Sequence, residues 1–267
     1  MLTTLRHLIE TLALYASLTL LGVMCLAWTL IALPLWLLLP ERLGARCGRR
    51  AILISFRFYV WTLSVMGAYR FDLGALATLR SGPPVVLAPN HPSLIDALIL
   101  IACDPKVACV MKASLMNNVF MGAGARLARY IRNEPPRHMI TSAIEELAHG
   151  GSVLLFPEGT RTVHAPINPL KASVAIIAKH ANVPVQTVII EQSNPFLSKG
   201  WSLFRRPSLP ITYRVRLGRR FEPEQDARAL TEELEQYFRG ELAASAQNQW
   251  IASRGASRPH GRQATDG

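Results

Sequence analysis

Acidic residues are scarce in this chain: 18 Asp and Glu stand against 29 Lys and Arg, a formal charge of +11 over 267 residues. Such a balance points to nucleic acid, an anionic membrane surface or an acidic partner. No helix-turn-helix, zinc-finger or aromatic RNA-binding pattern accompanies the charge, which excludes nucleic acid. Cysteine is also sparse. Cys25, Cys47, Cys103 and Cys109 form no CxxC pair and no metal-ligand grouping. That excludes a disulfide scaffold and fits a reducing compartment. No internal repeat occurs. Charge of either sign is missing altogether from Thr11 to Pro40.

That gap is the first positive feature. A membrane-crossing helix needs about 20 apolar residues, and Leu12–Leu33 supplies them before Pro34 interrupts the pattern. A secretory signal has an apolar stretch of only ~7–15 residues before a small-residue cleavage site. The run is longer and no such site closes it, so a membrane anchor is expected. Arg42, Arg46, Arg49 and Arg50 follow at once. Basic clusters beside a membrane segment bind anionic headgroups and mark the cytoplasmic side. A bacterial-type inner membrane with the remainder facing the cytoplasm is the expected location. Ala51–Tyr69 is a second apolar stretch, with Arg57 near its middle. Its charge is expected to snorkel to an interface, so this helix should lie shallow.

Three regions follow: membrane-anchoring helices over 1–70, a catalytic-type domain over 71–245, and a disordered basic tail over 246–267 rich in Ala, Ser, Gln, Gly and Arg. Short apolar runs of strand length occur at Val85–Ala88, Val107–Met111, Val153–Phe156, Val185–Ile190 and Thr212–Leu217. Helical spacing links Met139, Ile140, Ala143, Ile144, Leu147 and Ala148. Leu115–Tyr130, Leu170–His180 and Asp226–Leu242 also read as helices. The alternation predicts an α/β fold: a mixed, largely buried sheet flanked by helices, behind an N-terminal membrane-anchoring helical segment.

Two blocks carry chemistry. Asn90-His91-Pro92-Ser93-Leu94-Ile95-Asp96 follows the first strand. The spacing lets the Asp96 carboxylate return to the His91 imidazole, fix its tautomer and favour its protonated form. Ser93-x-x-Asp96 is also a helix capping box, and the two readings are compatible. Phe156-Pro157-Glu158-Gly159-Thr160-Arg161-Thr162 follows a later strand. Gly159 permits close ligand approach, and Arg161 offers a planar fork for a phosphate or carboxylate. An ordinary polar turn with a solvated Arg would look the same. The remaining histidines examined, His7, His138, His149, His164 and His180, sit in no ligand-like grouping.

Together the blocks resemble the glycerolipid acyltransferase family, which includes bacterial 1-acylglycerol-3-phosphate acyltransferases. Val110-Met111-Lys112-Ala113-Ser114-Leu115 and Val183-Pro184-Val185 are similar to two further family segments. The resemblance covers roughly 80–225. It implies that His91 is the general base, Asp96 its orienting partner, and Glu158, Gly159, Thr160 and Arg161 the holders of a lysolipid headgroup. Backbone amides or Lys/Arg would stabilise the oxyanion. No acyl-enzyme, metal or cofactor is implied. The acyl donor would be a thioester of coenzyme A or acyl carrier protein, and the partners a lysolipid acceptor and an anionic membrane surface. Lys171 stands where the family tends to carry a second basic residue, though it reads equally well as a solvated lysine at a helix start.

One segment departs from the pattern. An aromatic-Ile-Asp-Arg segment is usual between the blocks, whereas this chain has Tyr130-Ile131-Arg132-Asn133. The departure makes Arg132 a candidate for setting acceptor choice. Two other functions use the same residues. A thioesterase-like hydrolase would need no anion site for water, and a non-catalytic lipid-binding protein would not need His91.

Overall fold

A computed structural model describes residues 2–203 and 205–255. Helix α1 (Leu2–Leu38) and helix α2 (Glu41–Val65) precede strand β1 (Tyr69–Asp72) and a 3-10 segment over Gly74–Ser81. Then come β2 (Val86–Pro89), α3 (Asp96–Ile101), β3 (Val107–Met111), α4 (Ala113–Met116) and α5 (Gly122–Leu127). They are followed by β4 (Ile131–Arg132), α6 (Pro136–Ala148), β5 (Ser152–Leu154), α7 (Ser173–Ala181), β6 (Val185–Gln192), β7 (Ile211–Phe221) and α8 (Ala227–Gly255).

The seven strands form one sheet in the order β1-β7-β6-β2-β5-β3-β4. Strands β6, β2, β5, β3 and β4 run parallel, while β7 is antiparallel to β6 and carries β1 in its own direction. The sheet is therefore mixed, as expected. Alternation along each central strand divides the core. Val86, Ala88, Val153 and Leu155 pack with residues of α6, α7 and α8. Leu87, Leu154, Phe156 and Met111 face the other way, toward residues of α2 and α3. Apolar side chains on both faces of the strands explain why these runs read as continuous rather than alternating.

Several elements differ from expectation. The helix expected over Leu115–Tyr130 is broken into α4 and α5. Asn118 Oδ1 accepts the Phe120 N–H, and Gly122 crosses so near the Met116 carbonyl that a side chain there would collide. Helix α8 continues to Gly255, ten residues into the segment expected to be disordered. Residues 256–267 of that expected tail lie outside the described residues. Arg57 does not snorkel to an interface. It donates to the carbonyls of Ala102 and Cys103 at 2.8 and 3.1 Å, where a cation suits the C-terminal end of α3. Arg49 leaves the expected headgroup cluster too, because it is buried in a two-pronged ion pair with Glu146. Arg42, Arg46 and Arg50 are exposed.

Among the described residues one helical stretch, His7–Leu38, is long and apolar enough to cross a membrane by length and composition. It touches the α/β domain repeatedly. Glu10 meets Arg206 and the Leu209 N–H, and the Ser17 carbonyl of α1 accepts from Tyr59 of the neighbouring α2. Thr29 donates to the Phe120 carbonyl, Ala32 is buried with Ala123 and Leu127, and Arg126 lies over the Trp36 ring. Its other sides expose Leu12, Val23, Leu30, Leu37 and Leu38.

Candidate active site

The parallel strands end at one edge of the sheet, and both chemical blocks sit there, on neighbouring strands β2 and β5. Asn90 closes β2. Its side chain donates to the Ile190 carbonyl (2.9 Å) and accepts the Ile190 N–H (2.7 Å), so it acts as one more rung toward β6. The chain then turns sharply into His91. His91 Nδ1 lies 3.0 Å from Asp96 Oδ2. With Nδ1 as donor, Nε2 is the unprotonated nitrogen, and it makes no hydrogen bond among the described residues. The ring stacks on Phe156, centroids 3.8 Å apart, and its side chain is 14% exposed.

Asp96 is fully buried at the first turn of α3. Its Oδ2 also accepts the Ser93 N–H at 2.7 Å, half of the capping box. The other half is missing, because the Ser93 hydroxyl accepts the Ile95 N–H, at 3.4 Å, and not that of Asp96. That hydroxyl donates to the Phe196 carbonyl (3.0 Å) and meets the Tyr213 hydroxyl (3.1 Å). Burial pushes the Asp96 carboxyl above its ordinary range. The His91 hydrogen bond and charge and the Ser93 N–H pull it back, while the Glu158 charge pushes it further up. Asp96 Oδ1 is buried without a partner among the described residues. The site offers no activated thiol, since burial raises the Cys103 thiol to about 11 and the Cys109 thiol to about 12.

The second block divides into an inner and an outer half. Glu158, expected to touch a headgroup, instead points inward and is 3% exposed. Its Oε1 accepts the His91 N–H and the Thr162 hydroxyl, both at 2.9 Å, and its Oε2 accepts the Asn168 N–H at 3.0 Å. All three of these donors belong to the protein itself. Gly159 has φ +68°, the left-handed region that glycine adopts without penalty. The place of a Cβ on Gly159 is 2.6 Å from Lys171 Nζ, so the missing side chain is what admits that ammonium. Thr160 Oγ1 accepts from Lys199 Nζ at 2.8 Å. Arg161 donates through Nη1 to the carbonyls of Leu197 and Ser198, at 2.8 and 3.0 Å. Its remaining guanidinium N–H groups are without partners among the described residues. Three cations thus converge on one exposed turn.

The structure therefore brings together His91, Asp96, Glu158, Gly159, Thr160, Arg161 and Lys171. It leaves Arg132 apart. Arg132 ends β4, two strands from β5 in the sheet order, or roughly 10 Å at ordinary strand spacing. It is exposed and makes no hydrogen bond or ion pair among the described residues. Asn133, which replaces the usual arginine of that segment, accepts the Ala113 N–H at 2.9 Å and so ties β4 to the start of α4. Lys199 and Asn168 escaped the sequence reading because neither lies in a recognisable block. Among the described residues no three His, Cys, Asp or Glu side chains converge to hold a metal ion.

The acyltransferase family profile matches residues 70–191. A 1-acyl-sn-glycerol-3-phosphate acyltransferase of Pseudomonas aeruginosa is 25% identical over 186 residues, covering 67% of this chain and 70% of that one. A putative enzyme of the same name from Caenorhabditis elegans is 28% identical over 59% of this chain and 58% of its own length. The human lysophospholipid acyltransferase LPCAT4 is 29% identical over 52% of this chain, but the match spans only 27% of the human protein. The crystal structure of the 1-acyl-sn-glycerophosphate (LPA) acyltransferase PlsC from Thermotoga maritima has the same fold. Its TM-score is 0.63 over 91% of this chain and 97% of that one, at 18% identity. Both chemical blocks fall inside the segment that matches the acyltransferase family profile, at adjacent strand ends, and over that segment the chain is similar to the glycerolipid acyltransferases.

Proposed function

We propose that this acyltransferase moves a fatty acyl group from a thioester of coenzyme A or acyl carrier protein onto the free hydroxyl of a lysophospholipid. The observation that carries the reading is the His91–Asp96 pair, with Nδ1 committed to the carboxylate and Nε2 open. Nε2 takes the proton of the acceptor hydroxyl as that oxygen attacks the thioester carbonyl carbon. Asp96 stabilises the imidazolium that forms. Backbone amides or nearby cations stabilise the negative oxygen of the tetrahedral intermediate. Its collapse breaks the carbon–sulfur bond, and the departing thiolate recovers the proton from His91.

The turn at Gly159–Arg161, with Lys171 and Lys199, supports an anionic headgroup on the acceptor, since the three cations there make no ion pair among the described residues. Water as acceptor would make no use of them, which disfavours a hydrolase. The assay is purified protein with acyl-coenzyme A or acyl carrier protein thioester and a panel of lysolipids. A new diacyl product is expected. Thioester loss with free fatty acid as the sole product would overturn the reading.

We further propose that α1 lies along a membrane surface instead of crossing it. Its contacts with the α/β domain extend from Glu10 to Trp36, about 39 Å of helix at 1.5 Å per residue, whereas a bilayer core is ~30 Å thick. The domain cannot follow a helix through that core. The exposed apolar sides then enter one leaflet, and Arg42, Arg46 and Arg50 meet its headgroups on the cytoplasmic side. Flotation with anionic vesicles is the expected behaviour. Quantitative recovery in a high-salt supernatant without detergent would exclude it.

A further inference from the structure

The structure assigns Glu158 and Asn168 a shared role as positioning residues: they form a buried hub that fixes the backbone of the catalytic histidine, and neither holds the headgroup. This rests on the acyl-transfer reading above and changes the part played by Glu158 within it.

The hub grips His91 from both sides. The His91 N–H donates to Glu158 Oε1 at 2.9 Å, and the His91 carbonyl accepts the Thr162 N–H at 2.8 Å. Thr162 is itself held, its hydroxyl donating to the same Glu158 oxygen at 2.9 Å. So one peptide on either side of His91 is anchored to the β5 turn, and the imidazole is aimed by a backbone that cannot slide along that turn.

Asn168 completes the grip from outside every recognisable block. It is 6% exposed. Its N–H donates to Glu158 Oε2 at 3.0 Å, its Oδ1 accepts the N–H groups of Val163 and His164, each at 3.0 Å, and its Nδ2 donates to the Arg161 carbonyl at 3.2 Å. The turn carrying Arg161 is thereby wrapped around Asn168, and Glu158 lies between that turn and His91. A buried carboxylate costs free energy unless its oxygens accept hydrogen bonds. Three donors here satisfy Glu158, and each also fixes a loop.

The two possible jobs for Glu158 separate kinetically. A headgroup ligand lost by substitution raises the acceptor KM. A positioning residue lost by substitution lowers kcat, because small misplacements of a catalytic group cost rate steeply, on the order of 10²-fold per ångström. Glu158→Gln keeps the shape and the Oε1 acceptor but sets an NH2 against the Asn168 N–H. Thr162→Val removes one donor to the hub, and Thr162→Ser keeps it.

The experiment is steady-state acyl transfer by these three full-length variants, with thermal midpoints measured alongside. For Glu158→Gln, kcat is expected to fall about tenfold or more with the acceptor KM within about twofold of wild type. Thr162→Val should lose about threefold or more in kcat, and Thr162→Ser should restore it. An acceptor KM raised about tenfold at unchanged kcat in Glu158→Gln would make it a ligand and overturn the assignment. Unchanged kcat in a folded Glu158→Gln, or equal loss in both Thr162 variants, would overturn it too. Failure of the acyl-transfer reading looks different, because wild type itself would then make no diacyl product.

Discussion

The His91 corner and the Gly159 turn lie on adjacent strand ends, yet they are built in opposite ways. Around His91 the polar groups are buried and mostly held by the protein, with His91 Nε2 and Asp96 Oδ1 left without a partner among the described residues. Asp96 is 0% and Ser93 0% exposed, and Asn90 is consumed by Ile190. Around Gly159 the groups are more open: Lys171 and Lys199 are exposed, and the half-buried Arg161 keeps guanidinium N–H groups beyond the one held by the Leu197 and Ser198 carbonyls. Rigidity would serve the proposed proton transfer, which tolerates little misplacement. Surplus donors would serve the proposed headgroup, which arrives carrying its own acceptors. The two halves of one motif, Glu158 inward and Arg161 outward, divide along this line.

Substitutions on the rigid side should be the most damaging. His91→Ala is expected to lower kcat by about 10²–10⁴-fold, the usual cost of a lost general base, with membrane association intact. Transfer by the purified variant within about twofold of wild type would break the comparison at its strongest point.

Asp96→Asn should reduce kcat sharply as well, and its effect on thermal stability should depend on pH. Burial raises the folded-state pKa of Asp96, so the folded protein binds that proton more tightly than the unfolded chain. The sign follows: the wild-type fold is favoured at low pH and loses stability as pH rises through the folded pKa. A neutral Asn escapes that loss. The thermal midpoint of Asp96→Asn minus that of wild type should therefore be larger at pH 8 than at pH 4.5, as scanning calorimetry can measure. A pH-independent difference would show that burial of the charge is not what sets the balance.

On the open side the effects should be smaller and should fall on binding. Arg161→Ala removes a charge-assisted donor contributing about 1.5–3 kcal/mol, so the acceptor KM is expected to rise with turnover less affected. An unchanged acceptor constant would remove Arg161 from the headgroup site. Arg132→Ala should have the smallest effect of all. The substituted segment made it a candidate for acceptor choice, but its position two strands from β5 predicts an unchanged ranking of lysolipid headgroups. A changed ranking in the same panel would bring β4 into the site.

How much of this was legible in the sequence depended on whether partners were local. His91 and Asp96 are five residues apart and their pairing was readable. The central strands were readable because both faces are apolar. The inward turn of Glu158 was not, because its third partner, Asn168, lies beyond Arg161 in a turn without periodicity. Lys199 was invisible because it reaches Thr160 from the β6–β7 connection. Arg57 and Arg49 were misread for one reason: an arginine near an apolar run looks like a lipid anchor, and only tertiary structure supplied the Ala102 and Cys103 carbonyls and Glu146. Strand β4, with two residues, is too short to leave a pattern.

The orientation of the Ser93 hydroxyl bears on the order of events. Its proton is committed to the Phe196 carbonyl, inside the protein, beside a histidine that could otherwise have activated it. Under the proposed mechanism Ser93 then offers the acyl group no resting place between donor and acceptor. Both substrates would have to occupy the enzyme together, so reciprocal plots of rate against one substrate at fixed levels of the other should intersect. Donor alone should release no stoichiometric burst of thiol, and a cell short of lysolipid would not drain its activated acyl pool through this protein.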